Sequence, residues 1–526
     1  MIERSTTRSG VTSKRRFRFD KPLPLPAALA VAAASGLLLT TAFQPLGWWP
    51  LVLVATIGEL WALRGRTLKA ALLVGAVSGA AFWFVHISWV TVYLGPVPLI
   101  ALGLFMTIWR ALGAMGIAFA YRVLEQRLSR GWQLLGVPFA VAAIMVMRET
   151  LSATVPWGGF SWGRLAFTQS GTIVGDAVSW TGVSGLSFLL MWLAALVVQL
   201  IVQRRMEARR RITVGAVAAI ALVAVPAYPV QLDDSLRIGA VQGASEAGLL
   251  APYTQGQIIE EHYEAAQQLE GSYDLVVLPE NAGEFNPQQD PRASALISDI
   301  ADDADAPVVV GAVTGTSEEY YNSAILWEPD GGPIDVYHKR HPVPFAEYLP
   351  ARDFFEPILD AMGFLELIPR DYSTDPTMPN AFDTPGFTAG VAICFDIIDD
   401  ALMREMVTEH GAQIILAPTN NADFGEGSAE NVQQLAIAQM RAQELGRSTV
   451  NISTVGTSAM ILPDGTVVEQ LPQYEPGVMS HDLPTSSTIT PAARFGSIVD
   501  WALPILGLLT LLTAMILNPK RGNRSV

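Results

Sequence analysis

The sequence predicts a polytopic α-helical membrane bundle of about eight spans joined to a soluble α/β domain. Half of the 526 residues are hydrophobic, which is unusual for a soluble protein of this length. The charge is also divided: residues 231–496 contain 41 Asp and Glu against 10 Lys and Arg, whereas the rest of the chain contains 8 against 24. A basic, apolar part beside an acidic, globular part indicates a protein at a compartment boundary and argues against nucleic-acid binding.

Eight apolar stretches are the candidate membrane spans, and several reach the ~20 residues that crossing a bilayer requires. They lie at residues 26–43, 48–63, 72–94, 98–121, 134–147, 184–202, 212–228 and 498–517. The second and the fifth are short or carry a charge, since Glu59 lies within one and Arg148 lies at the edge of the other. The chain therefore divides into a membrane domain of about seven helices (1–228), an extracytoplasmic domain (229–496) and a C-terminal helix with a basic tail (497–526).

Lysine and arginine occur in every second connection between the spans, as the positive-inside rule requires of cytoplasmic segments. They are Arg4, Arg8, Lys14, Arg15, Arg16, Arg18 and Lys21 in the N-terminal tail; Arg64, Arg66 and Lys69; Arg122, Arg127 and Arg130; Arg204, Arg205, Arg209, Arg210 and Arg211; and Lys520, Arg521 and Arg524 in the C-terminal tail. The pattern predicts that both termini face the cytoplasm. Because seven spans precede it, the acidic domain is predicted to lie outside the cytoplasm.

The acidic domain alternates short apolar strands with helices. Strands are predicted at residues 236–243, 273–280, 306–313, 320–331, 386–394, 412–420, 448–454 and 458–468, and helices at 254–269, 292–301, 400–409 and 428–445. This order favours packed sheets covered by helices. Residues 342–383, which are rich in proline and aromatic residues, are predicted to form an extended loop region that could cover or bind a ligand.

Three predicted strands lead to reactive side chains: Glu280, Lys339 and Cys394, the only cysteine in the chain. Each alone has an ordinary explanation, namely a turn, a solvated charge and a small buried hydrophobic residue. Together they form a set suited to acyl transfer. A thiol with a pKa near ~8.5 needs a base, a carboxylate can accept its proton, and an ammonium can stabilise the oxyanion of the tetrahedral intermediate.

Nine motifs are spread over nearly the whole chain. They are FQPLGWWPL (43–51), FWFVHISWV (82–90), VPWGGFSWG (155–163), LPE (278–280), YYNSA (320–324), YHKRHPVPFAEYLP (337–350), AICFD (392–396), TNNADFG (419–425) and QMRAQELGRS (439–448). In this order they resemble the apolipoprotein N-acyltransferase family of the carbon–nitrogen hydrolase (nitrilase) superfamily. The resemblance implies a nitrilase-like αββα sandwich on a bundle of eight spans.

The resemblance also implies roles for individual residues. Cys394 would be the nucleophile, Glu280 the general base and Lys339 the group that stabilises the oxyanion. Glu347 would position Lys339 or the substrate, and Asn322 would lie near the site.

The implied reaction is a ping-pong acyl transfer at the plasma membrane of a bacterium, with no cofactor and no metal. The sn-1 acyl chain of a phospholipid would pass to the thiol, and then to the α-amine of a diacylglyceryl-cysteine at the N-terminus of a lipoprotein. Three residues depart from the family pattern. Phe395 and Asp396 follow the nucleophile where the family often has an aromatic residue and Glu, so a tyrosine-type hydroxyl is absent and the carboxylate is shorter. Asp423 stands where tryptophan is common. These departures bear on donor preference and on lipid contact.

The long acyl chains of both implied substrates would explain why the protein has membrane helices. Moving a chain into water costs ~0.8 kcal/mol per CH₂, so the thiol has to meet its substrates at the bilayer surface. We predict a groove between the outer loops and the sandwich that admits lipid from the side, with Trp157, Phe160 and Trp162 as candidate lining residues. The alternative for these aromatic residues is an interfacial belt.

Two other functions remain open from the sequence. The first is a membrane-bound amidase or nitrilase acting on small nitrogen compounds, which would use the same three residues but gives the spans no role. The second is a non-catalytic membrane scaffold for a glycosyltransferase partner that works on lipid-linked sugars. Some relatives in high-GC Gram-positive bacteria resemble such anchors. A metal site is not predicted, because the six histidines lack the spacing of metal ligands.

Overall fold

The computed structural model describes residues 22–203, 206–245, 248, 254–316, 318–368 and 370–518. Part of the predicted charge pattern lies outside the described residues. These positions are Arg4, Arg8, Lys14, Arg15, Arg16, Arg18, Lys21, Arg204, Arg205, Lys520, Arg521 and Arg524.

The membrane part is helical. Its helices are α1 (Leu25–Thr40), α2 (Leu51–Leu63), α3 (Leu68–His86), α4 (Val90–Leu94), α5 (Pro96–Arg127), α6 (Arg130–Thr154), α7 (Val178–Val202) and α8 (Ala208–Val223). In the domain that follows, the helices are α9 (Gln257–Ala266), α10 (Pro291–Ala304), α11 (Arg352–Ala361), α12 (Asp400–Thr408) and α13 (Ala429–Leu445). The last helix, α14 (Pro491–Leu517), returns to pack against α6 and α7.

Five of these helices are long and apolar enough to cross a membrane: α3, α5, α6, α7 and α14. The fifth predicted span belongs to α6, whose 25 residues extend well beyond the apolar stretch at 134–147. By contrast, α1 and α8 have 16 residues each and α2 has 13. At 1.5 Å per residue, α2 covers about 20 Å, which is less than the hydrocarbon core of ~30 Å. The count of eight spans therefore stays a prediction.

Small residues and buried ion pairs hold the bundle together. A Cβ added to Gly36 would lie 2.4 Å from the Ser78 carbonyl oxygen, so α1 and α3 approach closely, as helices in membranes often do at small residues. Glu59 is the charged residue within the second predicted span. Its carboxylate lies 2.5 Å from the guanidinium of Arg110. The charge in α2 is therefore paired inside the bundle.

The acidic domain contains two six-stranded sheets. Its strands are β1 (Ser235–Gln242), β2 (Leu275–Val277), β3 (Val308–Gly315), β4 (Tyr320–Glu328), β5 (Gly332–His338), β6 (Ala381–Thr384), β7 (Phe387–Val391), β8 (Ile414–Thr419), β9 (Ser448–Ser453), β10 (Ala459–Ile461), β11 (Val467–Gln470) and β12 (Gly477–Pro484). The first sheet has the order β12-β1-β2-β3-β4-β5 and the second β11-β10-β9-β8-β7-β6. Both are mixed, since parallel pairs at their centres are flanked by antiparallel ones.

The two sheets face each other across an apolar core, to which Ile238 and Leu326 of the first sheet and Val391 and Ile452 of the second contribute. Helices α9 and α10 cover the outer face of the first sheet. Helices α12 and α13 cover the outer face of the second, and their buried residues belong to the same apolar cluster as the membrane helices. The predicted αββα sandwich is confirmed, and its second helical layer packs against the bundle.

The structure corrects three details of the sequence prediction. The predicted loop region at 342–383 contains helix α11 and strand β6, because Phe354, Phe355 and Ile358 recur at helical spacing within the proline-rich stretch. Strand β12, Gly477–Pro484, is a further strand that the sequence prediction does not contain. The last helix starts at Pro491 rather than near 498, where the Thr490 hydroxyl accepts the Ala493 N–H and caps it.

Candidate active site

Strands of both sheets bring the predicted reactive residues together. Glu280 follows β2 and Lys339 directly follows β5, both in the first sheet, whereas Cys394 follows β7 in the second. Lys339 and Glu280 are buried, and Cys394 is half-buried. The thiol lies close enough to Glu280 and Lys339 for their charges to act on its pKa. Residues that are far apart in sequence thus form one cluster.

The Lys339 ammonium lies between two carboxylates. Its Nζ is 3.0 Å from Glu280 Oε1 and 3.0 Å from Glu347 Oε1. Asn322, from β4, donates its side-chain N–H to the same two oxygens, at 2.6 Å to Glu280 and 2.8 Å to Glu347. Glu347 also accepts the backbone N–H of Val343 at 2.6 Å. The Lys339 ammonium and the Glu280 carboxylate are therefore held in fixed positions by groups from three strands and one loop.

Burial and charge set the protonation states of this pair. Burial raises the pKa of Glu280 above its usual value, and the Glu347 charge raises it further, although Lys339 opposes both effects. Burial alone would lower the pKa of Lys339, but Glu280 and Glu347 together hold it well above its usual value. Lys339 is thus a permanent cation next to a carboxylate with a strengthened affinity for protons.

Cys394 begins a tight 3₁₀ turn, Cys394–Ile398, and has a φ of 47°. A residue other than glycine in this region carries backbone strain, which occurs often at functional sites. Burial raises the pKa of the Cys394 thiol and Glu280 raises it further, whereas Lys339 and a hydrogen bond from Thr419 lower it. The thiol is therefore protonated in the resting enzyme and needs a base before it can react.

Asp396 joins the 3₁₀ turn at Cys394 to the segment that carries Lys339. Its carboxylate accepts the backbone N–H of His341 at 2.9 Å and the hydroxyl of Tyr337 at 2.9 Å. The neighbouring Phe395 stacks against Phe160 of the membrane domain, with ring centroids 6.5 Å apart. Asp396 therefore faces the loop after β5, while Phe395 faces the bundle.

The two tryptophans of the predicted lipid groove lie in different environments. Trp157 is 44% exposed and packs edge-on against Phe345 and Phe355 of the loop region. Trp162 is 4% exposed, and its indole N–H donates to Gln433 of α13 at 2.7 Å. Trp157 thus borders an accessible aromatic cluster, whereas Trp162 belongs to the junction between the bundle and the sandwich.

Four polar residues near the thiol were missed by the sequence analysis: Thr419, Asn421, Glu430 and Gln434. Gln434 donates its side-chain N–H to the Cys394 sulfur at 3.8 Å. Glu430 is buried without a charged partner in the described ion pairs, and burial raises its pKa to about 8. Two signals could have found them: Thr419 and Asn421 lie in the motif TNNADFG, and the spacing of Glu430 and Gln434 places both on one face of α13.

Comparisons with known proteins agree with both parts of this architecture. The family model described as apolipoprotein N-acyltransferase N-terminal domain matches residues 35–196, and the carbon–nitrogen hydrolase model matches residues 237–492. A protein of Mycolicibacterium smegmatis named apolipoprotein N-acyltransferase is 29% identical, over 98% of this chain and 90% of its own. One of the same name from Haemophilus ducreyi is 24% identical, over 88% of this chain and 92% of its own.

Among solved structures, a CN-hydrolase superfamily protein of Xanthomonas campestris is similar to 52% of this chain and 97% of its own, with 18% identity and a TM-score of 0.36. The assignment of the acidic domain to the carbon–nitrogen hydrolases rests on the family model, and the two facing sheets covered by helices agree with it. The matches to both domains and the full-length relatives lead to one conclusion: the chain belongs to the apolipoprotein N-acyltransferase family.

Proposed function

We propose that this protein transfers an acyl chain from a membrane phospholipid to the N-terminal amine of diacylglyceryl-cysteine lipoproteins, through a thioester on Cys394. The observation that carries the proposal is the cluster of Glu280, Lys339 and Cys394 in a hydrolase domain packed against apolar helices. The names of the full-length relatives support the acceptor class.

In the first half-reaction, Glu280 takes the thiol proton while the sulfur attacks the ester carbonyl of the phospholipid. A C–S bond forms, and Lys339 stabilises the negative oxygen of the tetrahedral intermediate. The C–O bond of the ester then breaks. The alkoxide of the departing lysophospholipid takes the proton from Glu280, which leaves the carboxylate ready for the second step.

In the second half-reaction, the neutral α-amine of the acceptor attacks the thioester. A C–N bond forms, the C–S bond breaks, and the sulfur leaves as a thiolate. Glu280 accepts the proton that the amine loses and returns it to the thiolate. The amide product and the free thiol restore the starting state, so the reaction needs no cofactor.

The membrane side of the site provides a path for the acyl chain. Phe395, next to the nucleophile, stacks on Phe160 of the bundle, so the thiol lies beside the membrane domain. We propose that lipid enters past the accessible cluster of Trp157, Phe345 and Phe355. The positive-inside pattern supports an extracytoplasmic sandwich with both termini in the cytoplasm.

Intact-mass analysis of the purified protein after incubation with phosphatidylethanolamine in mixed micelles tests the proposal. We expect one fatty acyl adduct, located on Cys394 by peptide mapping and released by a synthetic diacylglyceryl-cysteine peptide. The Cys394→Ala variant is the control. An adduct at another residue, or release of ammonia from small amides without acyl transfer, would favour the amidase alternative. The glycosyltransferase partner stays a prediction.

A further inference from the structure

A second group of polar side chains reaches the sulfur from the second sheet, which also carries Cys394. Glu280 and Lys339 belong to the first sheet, whereas Thr419 ends β8 of the second and Gln434 lies on α13, which covers it. The Gln434 Nε2 donates to the Cys394 sulfur at 3.8 Å and is 3.0 Å from the Thr419 hydroxyl. The mechanism described above gives this group no role.

The orientation of the Gln434 carboxamide is fixed by its neighbours. Its oxygen, Oε1, accepts an N–H of Asn421 at 2.7 Å. With the carboxamide reversed, two N–H groups would face each other, and a carbonyl oxygen rather than a donor would face the sulfur. Asn421 thus selects the orientation in which Gln434 presents an N–H to the thiol.

Asn421 is itself held on both sides. Its second N–H donates to Glu430 Oε2 at 2.8 Å, and its oxygen accepts the Ser453 hydroxyl at 2.6 Å. Asn421 and Glu430 are each 2% exposed. Because a buried polar group without a partner is costly, the reversed orientation of Asn421 is strongly disfavoured.

We propose that Gln434 is a further catalytic residue that stabilises the thiolate of Cys394, and that Asn421 and Glu430 are positioning residues that orient its carboxamide. The role rests on the proposed function of Cys394 as nucleophile. Negative charge develops on the sulfur twice, as Glu280 removes the proton during the attack and as the amine displaces the sulfur from the thioester. A donor fixed on the sulfur lowers the energy of both states without a proton transfer.

The surroundings of the sulfur explain why such a donor is needed. Burial and the charge of Glu280 both raise the pKa of the thiol, so the thiolate is costly in this site. An ionised Glu430 would raise the thiol pKa further. Burial holds Glu430 in its neutral form at pH 7, where it accepts from Asn421 without adding a negative charge.

The experiment uses the single cysteine of the full-length protein in detergent micelles, so that alkylation of a thiol can occur only at Cys394, and peptide mapping separates it from alkylation of other side chains. The probe is iodoacetamide at pH 7, with the rate followed by intact mass. Replacing Gln434 by Met keeps the length of the side chain and removes the donor, and we expect Gln434→Met to react about tenfold more slowly than wild type. The matched control is Gln439→Met on the same helix, where the native side chain donates to Gly465 O, and we expect it to react at the wild-type rate.

Conservative rescue separates orientation from packing. Glu430→Gln keeps an oxygen for Asn421 and is expected to react within about twofold of wild type, whereas Glu430→Met is expected to approach the rate of Gln434→Met. Wild-type reactivity of Gln434→Met, or equal rates for the two Glu430 variants, overturns the proposal. Alkylation does not depend on the acyl donor. If the expected pattern holds but phosphatidylethanolamine leaves no adduct, the proposed donor is wrong and the role of Gln434 stands.

Discussion

The two sheets of the sandwich differ in what covers them and in what they contribute to the site. Helices α9 and α10 cover the first sheet and pack into a cluster of their own, whereas α12 and α13 join the second sheet to the membrane bundle. The first sheet supplies the charged groups Glu280 and Lys339, and the second supplies the sulfur with its neutral donors. The sulfur of Cys394 therefore lies on the membrane side, and Glu280 and Lys339 reach it from the sheet that faces away from the bundle.

Removing the sulfur is the most severe test of this division. We expect Cys394→Ala to abolish acyl-enzyme formation and Cys394→Ser to reduce it by at least about 10³-fold, because an alcohol is a poorer nucleophile and the base is adapted to a thiol. Intact mass after incubation with phospholipid measures both. Substantial acylation of the Cys394→Ser variant would show that the reaction does not depend on a thiol at this position of the second sheet.

The next test removes the cation of the first sheet. Lys339→Met leaves Glu280 and Glu347 close together without the ammonium between them, and the Glu347 charge already raises the pKa of Glu280. The base would then be protonated and the oxyanion unsupported, so we expect acyl-enzyme formation to fall by at least about 10³-fold. Arg237→Met, at an exposed position of the same sheet, should leave the single-turnover rate unchanged. A Lys339→Met variant that still forms the thioester would remove Lys339 from the mechanism.

Much of the fold and the centre of the site could be predicted, because both depend on local patterns. The alternation of strands and helices predicted packed sheets covered by helices, the family resemblance implied the αββα sandwich, and the ends of strands pointed to Glu280, Lys339 and Cys394. The structure brings these residues together, while their roles stay predictions. Contacts between distant segments could not be predicted in the same way. The hydrogen bond between Trp162 and Gln433, for example, joins residues 271 positions apart.

The orientation network around the sulfur was missed for a related reason. Asn421 lies in the motif TNNADFG, but no role follows for it from the sequence, and Glu430 and Gln434 resemble ordinary polar positions on a helix surface. They come together only because α13 packs with that face against the end of β8 and the 3₁₀ turn at Cys394. Amphipathic helix α11 was also missed, since the prolines around it favour a loop in a sequence-based prediction.

The junction between the second sheet and the bundle gives a stability prediction. Asp400 of α12 lies 2.5 Å from Arg164 of the membrane domain and 2.7 Å from Arg441 of α13. Although burial alone would raise the pKa of Asp400, the two guanidinium groups hold it well below its usual value. Arg164→Met leaves part of this buried charge unpaired, and we expect a loss of about 3 kcal/mol, measured as a lower melting temperature in detergent.

The matched control for the junction is the exposed pair of Arg237 and Asp482, whose side chains are 45% and 67% accessible. Arg237→Met should change the melting temperature little, because exposed pairs contribute about 0–1 kcal/mol. Equal melting temperatures for the Arg164 and Arg237 variants would show that the ion pair of Arg164 and Asp400 does not stabilise the junction.

Glu430 gives a pH dependence with a defined sign. Its pKa is raised to about 8 in the folded protein, above an unfolded value near ~4.3, so its contribution to stability is complete below pH ~4.3 and is lost as the pH rises through 8. Glu430→Gln cannot ionise. We expect its melting temperature to exceed that of wild type by an amount that grows between pH 5 and pH 8 and then levels off. A constant difference across this range would contradict a neutral Glu430.

The smallest expected effect concerns the two tryptophans on the membrane side. Trp157 is accessible, so Trp157→Ala should leave the melting temperature unchanged and reduce acyl-enzyme formation from phospholipid a few-fold, at about 1 kcal/mol of lost contact. Trp162 is buried and bonded to Gln433, so Trp162→Ala should lower the melting temperature whatever its effect on the reaction. If Trp157→Ala accepts phospholipid at the wild-type rate, the lipid does not enter past this cluster, and the exposed ring belongs to an interfacial belt.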